Sequence, residues 1–288
     1  MTQLRSDLLR RLKTQIASLE NQLAPDKTLP DTQLMTNCIR QDQFCFGIES
    51  IDRAFTHNVM PLFCLNEVST STREAGVGSG FLLGVLSQLS AQRQGPLIWI
   101  ATHKALIETG SLYGPGLHSF GLPPDRLLIV QTAKEKDALW AAEEALGLGD
   151  ALSVVLNLQT SAKGLSLAAT RRLHLRAETN RTPCFILLAG SDPPTPSIAL
   201  TRWQIEAASA GTLNGFQDGI GHPAFTANLT RNRQGQTGSF TLQWNTYHAK
   251  FETANKQTIP RIGTSQEDNE TVSGAVVSLS RHRPIGTA

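Results

Sequence analysis

No two cysteines in this 288-residue sequence stand at CxxC spacing, and no two histidines at HxxxH or HExxH spacing. Cys38, Cys45, Cys64 and Cys184 are scattered, which argues against a disulfide framework or a zinc knuckle and implies reduced, mostly buried thiols. The histidines give no ligand pattern, so no metal and no other cofactor is expected. Long hydrophobic runs are also missing: nothing approaches the ~18 apolar residues of a membrane span. Arg5, Arg10, Arg11 and Lys13 break up the N-terminal leucines where a signal peptide would need a continuous apolar core. A soluble, cytoplasmic protein with no membrane contact is the expectation. An excess of one charge is lacking too, since 26 Lys and Arg face 24 Asp and Glu for a net +2. Long-range attraction to a polyanion is therefore small, and any DNA contact should be weak or indirect. There is no GxSxG elbow, and no feature pairs a histidine with a Ser or Cys nucleophile.

What is present is a globular balance, 40% hydrophobic and 17% charged residues, on a chain long enough for one sizeable core. Leu4, Leu8, Leu12, Ile16, Leu19 and Leu23 recur at three- and four-residue steps, forming one stripe of an amphipathic helix over residues 1–24 that Pro25 ends. The stripe either packs on the protein's own domain or docks a partner. Residues 25–45 are polar and unperiodic and read as a linker.

Short apolar runs then alternate with helical patterns. Strands are expected at Leu62–Val68, Leu97–Ala101, Arg126–Gln131, Leu152–Leu158 and Cys184–Ala189, and helices at Ser79–Gln92, Lys134–Leu146 and Leu165–Asn180. Such runs suit a mainly parallel sheet with helices on both faces. Trp203–Ala207, Phe225–Arg231 and Ser239–Trp244 alternate instead, as antiparallel strands at one edge would. The domain so read covers residues 46–250, and the polar residues 251–288 read as a disordered tail.

The segment FGIESIDRAFTHNVMPLFCLNEV, Phe46–Val68, resembles the start of the ATP-binding core of the RecA and KaiC superfamily, with Gly47 and Asp52 shaping a turn before the first core strand. PLIWIATHKAL, YGPGLHSFGLPPDRLLIVQT and ALSVVLNLQT fall where that fold has its second core strand, the next helix and strand, and the Walker B strand. A phosphate loop needs glycines whose N–H groups cradle phosphate, a Lys for the β and γ oxygens, and a hydroxyl for magnesium. Here STSTREAGVGSGFLLG supplies Gly76, Gly78 and Gly80, but Gly80 and Phe81 stand at the Lys and hydroxyl positions. The glycines read as a flexible surface loop, and their GxGxG spacing fails the dinucleotide pattern as well. His103 takes the place of the water-activating Glu, and Asn157 that of the Walker B Asp. A unit charge ~4 Å from another is worth ~4 kcal/mol at an effective dielectric of ~20, so loss of the Lys alone costs about two to three powers of ten in rate. Arg73 and Lys104 hold no position aimed at a γ-phosphate. ATP hydrolysis is not expected, although a residual RecA-type DNA-dependent ATPase remains an alternative reading.

LNEV, GPLIWIA, LYGPGLHSFGL, DRLLIVQTAKEKDALWAAEEAL, LSLAATRRLHLRAE and TRWQI together resemble the ImuA family, the RecA-like proteins of the inducible mutagenesis cassette. The resemblance covers about two thirds of the chain, Phe46–Trp244, and is most specific in DALWAAEEAL and ATRRLHLRAE. It implies a non-catalytic accessory role in damage-induced, error-prone translesion synthesis within the SOS response. The implied partners are an ImuB-like Y-family protein, an error-prone replicative-type polymerase and RecA. The related SulA family, cell-division inhibitors that bind FtsZ, is the alternative, though its members are much shorter. Candidate partner contacts are the N-terminal stripe and the polar tail after Phe251, while on the DALW helix Asp137, Trp140, Glu143 and Glu144 share one surface, with Trp140 partly covered by the sheet and expected to serve packing. Candidate DNA contacts are Arg171, Arg172, Arg231 and Arg233.

Overall fold

The apolar runs form strands because residues covered on both faces gain most from an extended, hydrogen-bonded backbone. The computed structural model describes residues 43–159, 164–190, 196–210 and 221–254. The amphipathic stripe of residues 1–24, the linker up to Asp42 and residues 255–288 lie outside the described residues. The chain divides at Asn255, and everything described belongs to the first unit.

In chain order the elements are β1 (Gln43–Phe44), α1 (Glu49–Asp52), β2 (Met60–Pro61), β3 (Leu65–Thr70), α2 (Ala75–Ser90), β4 (Leu97–Thr102), α3 (His103–Thr109), α4 (Gly114–Ser119), β5 (Leu127–Thr132), α5 (Glu135–Leu146), β6 (Ser153–Gln159), α6 (Leu167–Thr179), β7 (Cys184–Ala189), β8 (Thr201–Ala207), β9 (Ala224–Asn232), β10 (Gly238–Asn245) and β11 (Lys250–Thr253). One sheet runs in the order β11-β10-β9-β8-β3-β7-β6-β4-β5. It is parallel from β8 through β5, while β9, β10 and β11 are antiparallel. The α/β class, the parallel core and the antiparallel edge are as expected, except that the Trp203 strand is parallel to β3 and antiparallel only to β9.

The two faces of the sheet are packed with different chemistry. One face carries the aromatic rings, Phe46, Phe81, Trp203, Phe225, Trp244 and Phe251 among them, beneath α2. The other, beneath α5 and α6, is aliphatic, with Ala138, Ala142, Ala169 and Ala177 letting the helices approach the strands. Sequence boundaries shift at both ends of the described unit. Phe44, read as linker, is buried in β1, and Phe251, read as tail, is buried in β11 and stacks its edge on Trp244 at 5.0 Å. Aromatic residues of this size take much of the driving force for folding, so they define the domain's limits more strongly than the polar residues around them.

The turn before the first core strand forms as expected. Gly47 takes a positive φ of 74°, and the Asp52 carboxylate accepts a hydrogen bond from the Phe46 N–H at 2.8 Å. Burial pushes the Asp52 pKa up to about 6, against the pull of the N–H groups of Phe46, Gly47 and Ile48. Cys45 is disulfide-bonded, which corrects the expectation of four reduced thiols, since lack of a CxxC pair does not by itself exclude a disulfide. Cys64 and Cys184 are free and buried, and burial raises both thiols, Cys64 to about 12.

Candidate functional site

In an open parallel sheet, ligands gather where the strands end at their carboxyl side. Here that rim is made by Thr70 at the end of β3, Thr102 at the end of β4 and Gln159 at the end of β6. The link from β3 to α2 is the single turn Ser71–Glu74, held by the Thr70 hydroxyl donating to the Glu74 carbonyl at 2.9 Å. Glu74 is the N-cap of α2, and its carboxylate accepts from the Ala207 N–H at 3.4 Å. A negative charge thus sits at the helix end where a phosphate would have to bind.

The glycines do not form a loop. Gly76, Gly78 and Gly80 lie in the first turns of α2, which starts four residues earlier than expected, at Ala75. A Cβ on Gly78 would lie 3.0 Å from the Thr70 methyl and 3.1 Å from Leu187, so this glycine lets the helix sit tight against β3 and β7. Gly80 faces Phe225 and Phe120. Phe81 is buried among Phe46, Trp203, Phe225 and Phe251, with ring centroids 5.6–6.2 Å away. The surface-loop expectation is therefore corrected: a helix dense in small and apolar residues gains more from packing on the aromatic face than its glycines lose in propensity.

The residues at the ends of β4 and β6 are committed to structure. His103 is exposed as the first residue of α3, whose N-cap Thr102 accepts from the Ala105 N–H at 3.2 Å. Asn157 is 1% exposed, and its amide donates to the Thr109 hydroxyl at 2.9 Å, leaving its carbonyl oxygen without a hydrogen-bond partner. Gln159 donates to Glu108 at 3.1 Å. Through these two contacts α3 is tied to the end of β6. Arg73 and Lys104 are both exposed.

The candidate DNA arginines divide. Arg171 and Arg233 are exposed, whereas Arg172 is paired with Glu143 at 2.8 Å and Arg231 donates to the Ser197 carbonyl at 2.9 Å. The short segment Ser197–Ile198 links the two clusters, since the Ile198 N–H donates to Thr170 on α6. Trp140 corrects another expectation: it is 66% exposed on the outer face of α5, because Ala138, Leu139, Ala142 and Leu146 supply the face that meets the sheet. Asp137 and Glu144 are exposed with it, and Glu143 is half-buried.

Sequence reasoning missed two features. Glu67, buried in β3, pairs with Arg202 of β8 at 2.7 Å; the signal was the one charged residue in the strand LNEVST. A groove of about 720 Å³ opens at the opposite end of the strands, lined by His57, Pro61, Phe63, His174, Glu178 and Arg181. Its residues come from segments more than a hundred positions apart, which no local spacing reveals. Among the described residues no cluster of three His, Cys, Asp or Glu could hold a metal, and no helix is long and apolar enough to cross a membrane. No family model matches the chain, and no curated protein matches it.

Proposed function

We propose that this chain is a RecA-like, ImuA-type accessory subunit of an error-prone translesion synthesis complex, acting through protein contacts and not through nucleotide hydrolysis. The observation that carries the reading is the conversion of nucleotide-site positions to packing. Phe81 is in the aromatic core, Gly78 lets α2 close on β3, and Asn157 ties down α3. Phosphoryl transfer is driven by positioning and charge neutralisation, and these positions offer neither. The order of strands and helices, with β4, β5 and β6 formed where the resemblance implies the second, third and Walker B strands, supports the same reading.

The partners implied are an ImuB-like Y-family protein, an error-prone replicative-type polymerase and RecA, with DNA held weakly through Arg171 and Arg233. Trp140 offers an exposed aromatic anchor of the kind that dominates binding energy at interfaces. Affinity capture of the full chain from DNA-damaged cells tests the reading. Recovery of a Y-family protein, reduced at least tenfold by Trp140→Ala, is expected, and ATP turnover at the rate of an ordinary RecA-like ATPase would overturn it.

A further inference from the structure

Three arginines gather where the segment leading into β8 passes the end of β9. Glu67 of β3, Arg202 of β8 and Arg231 of β9 form one row across three strands, since Glu67 is the register partner of Arg202 and Arg202 that of Arg231. Two arginines are therefore directly opposed, which is destabilising unless an anion offsets them. The one carboxylate in the row is already engaged: Glu67 accepts from Arg202 at 2.7 Å, and Arg202 also donates to the Ser197 hydroxyl at 3.0 Å. Arg231 donates through Nη1 to the Ser197 carbonyl at 2.9 Å, which leaves its Nε and Nη2 without a partner among the described residues. Arg233 is exposed, and its side chain has no partner among them either. Burial and the charges of Arg233 and Arg202 hold the Arg231 guanidinium below its ordinary pKa, so the three groups repel one another at close range. Ser197 is 2% exposed, and the N–H of the next residue, Ile198, is bonded to Thr170 of α6, so the segment that orients Arg202 and Arg231 is itself anchored. The next carboxylate along β8 on this face, Glu206, stands four residues from Arg202 and accepts from Gln204.

We propose that Arg231 and Arg233 bind a phosphate group, with Arg202 adding its charge from the neighbouring strand. Nε and Nη2 are the side-on fork of a guanidinium, two parallel N–H groups that match two oxygens of a phosphate. The bond from Nη1 to the Ser197 carbonyl fixes that fork before a ligand arrives, which reduces the ordering that binding requires. A phosphate has a further oxygen for Arg233 and carries the negative charge that the opposed arginines lack. A carboxylate has two oxygens, both taken by the Arg231 fork, and leaves Arg233 unmatched. The phosphate can come from a DNA backbone or be a free phosphate ion, and the chemistry of recognition is the same. The inference rests on the proposed function only in taking single-stranded DNA as the first source, and it deepens the DNA contact named there by adding Arg231.

Two measurements on the full chain test it. The first is fluorescence anisotropy with a labelled deoxythymidine oligomer of about 20 nucleotides at ~50 mM salt, where electrostatic contacts are strongest. Arg231→Gln combined with Arg233→Gln is expected to weaken binding about tenfold and to lower the slope of log affinity against log salt by about 1.4, two phosphates at ~0.7 each. Lys104→Gln, an exposed charge on α3, is expected to change affinity by about twofold at most. The second is the melting midpoint in inorganic phosphate against sodium chloride of equal ionic strength, where phosphate is expected to stabilise the parent and not the double variant. Should the double variant fail to fold, Arg233→Gln alone replaces it, since that side chain makes no contact within the described residues. Loss of oligomer binding, with or without the phosphate effect, supports the site with DNA as its ligand. A phosphate effect lost in the variant with oligomer binding unchanged supports the site with free phosphate as its ligand and removes Arg233 as a DNA contact. Parent and variant alike in both measurements, or an equal loss in Lys104→Gln, overturn the proposal. Recovery of a Y-family protein from damaged cells is independent of either result, so this inference and the proposed function fail separately.

Discussion

The two ends of the sheet solve the same problem in opposite ways. At the β11 end the chain closes on itself: hairpins are antiparallel, the outward strand is short and charged, and the rings of Phe251, Trp244 and Phe225 are buried against α2. At the β5 end an apolar strand stops in mid-pattern, with Leu128 and Ile129 exposed and, on the neighbouring α5, Trp140 facing solvent. The two kinds of end show that burial and edge protection are separate properties of a sheet. The first end has both, so its residues serve stability; the second lacks protection, so its residues are available to partners.

That contrast breaks first at Phe251. Phe251→Ala should cost about 3–5 kcal/mol, the usual loss for a fully packed ring, read as a shift in the urea midpoint at unchanged slope. Ending the chain after Thr246 removes β11 altogether and should give an unfolded product by near-ultraviolet dichroism. If either change is tolerated, the aromatic end is not the stable one.

Gly84 sharpens it. A Cβ there would lie 2.6 Å from the Phe251 ring and 2.9 Å from Trp244. Gly84→Ala should therefore destabilise by about 1–3 kcal/mol through overpacking, despite the gain in helix propensity. Gly80, four residues earlier, has its nearest ring atom at 3.5 Å, an ordinary contact. There Gly80→Ala should be neutral or stabilising by up to ~1 kcal/mol, and a large loss would indicate that the glycine serves a loop after all.

The aromatic half also carries a titrating carboxyl. Asp52 has a folded pKa of about 6 against an ordinary 3.8, so between these values the folded chain holds more protons than the unfolded one. A raised carboxyl pKa makes folding less favourable as pH climbs through that window, the reverse of a paired carboxylate. Allowing for the part of the group that water reaches, stability should fall by about 1–2 kcal/mol from pH 4 to pH 6. Denaturation curves at those pH values should show this, and Asp52→Asn should flatten the slope.

Trp140→Ala should give the smallest effect, within ~0.5 kcal/mol in stability, as befits a surface change. Trp244→Ala, at the other end, should cost as much as Phe251→Ala. Equal losses at the two tryptophans would erase the distinction between the ends.

Much of the molecule was legible before folding was considered. Runs such as LIWIAT and CFILLA are apolar at every position and short, which marks strands covered on both faces, and they form β4 and β7. TRWQI and its successors alternate, and the alternation marks the half of the sheet whose second face lacks a helix in the aliphatic layer. The identities of Gly80, Phe81, His103 and Asn157 were likewise visible. Their present engagement was not, since Asn157 meets Thr109 across 48 positions and Phe81 meets Phe251 across an even longer separation.

The sequence by itself determined the alternation of strands and helices and the contrast between wholly apolar and alternating strands, because each depends on residue type and on periods of two or three to four. Only the tertiary structure decided that three spaced glycines lie inside a helix, that Trp140 faces water, and that LLIVQT stands at an edge. Those outcomes depend on which strand neighbours which and which helix face meets the sheet, contacts between distant residues on which local periodicity is silent.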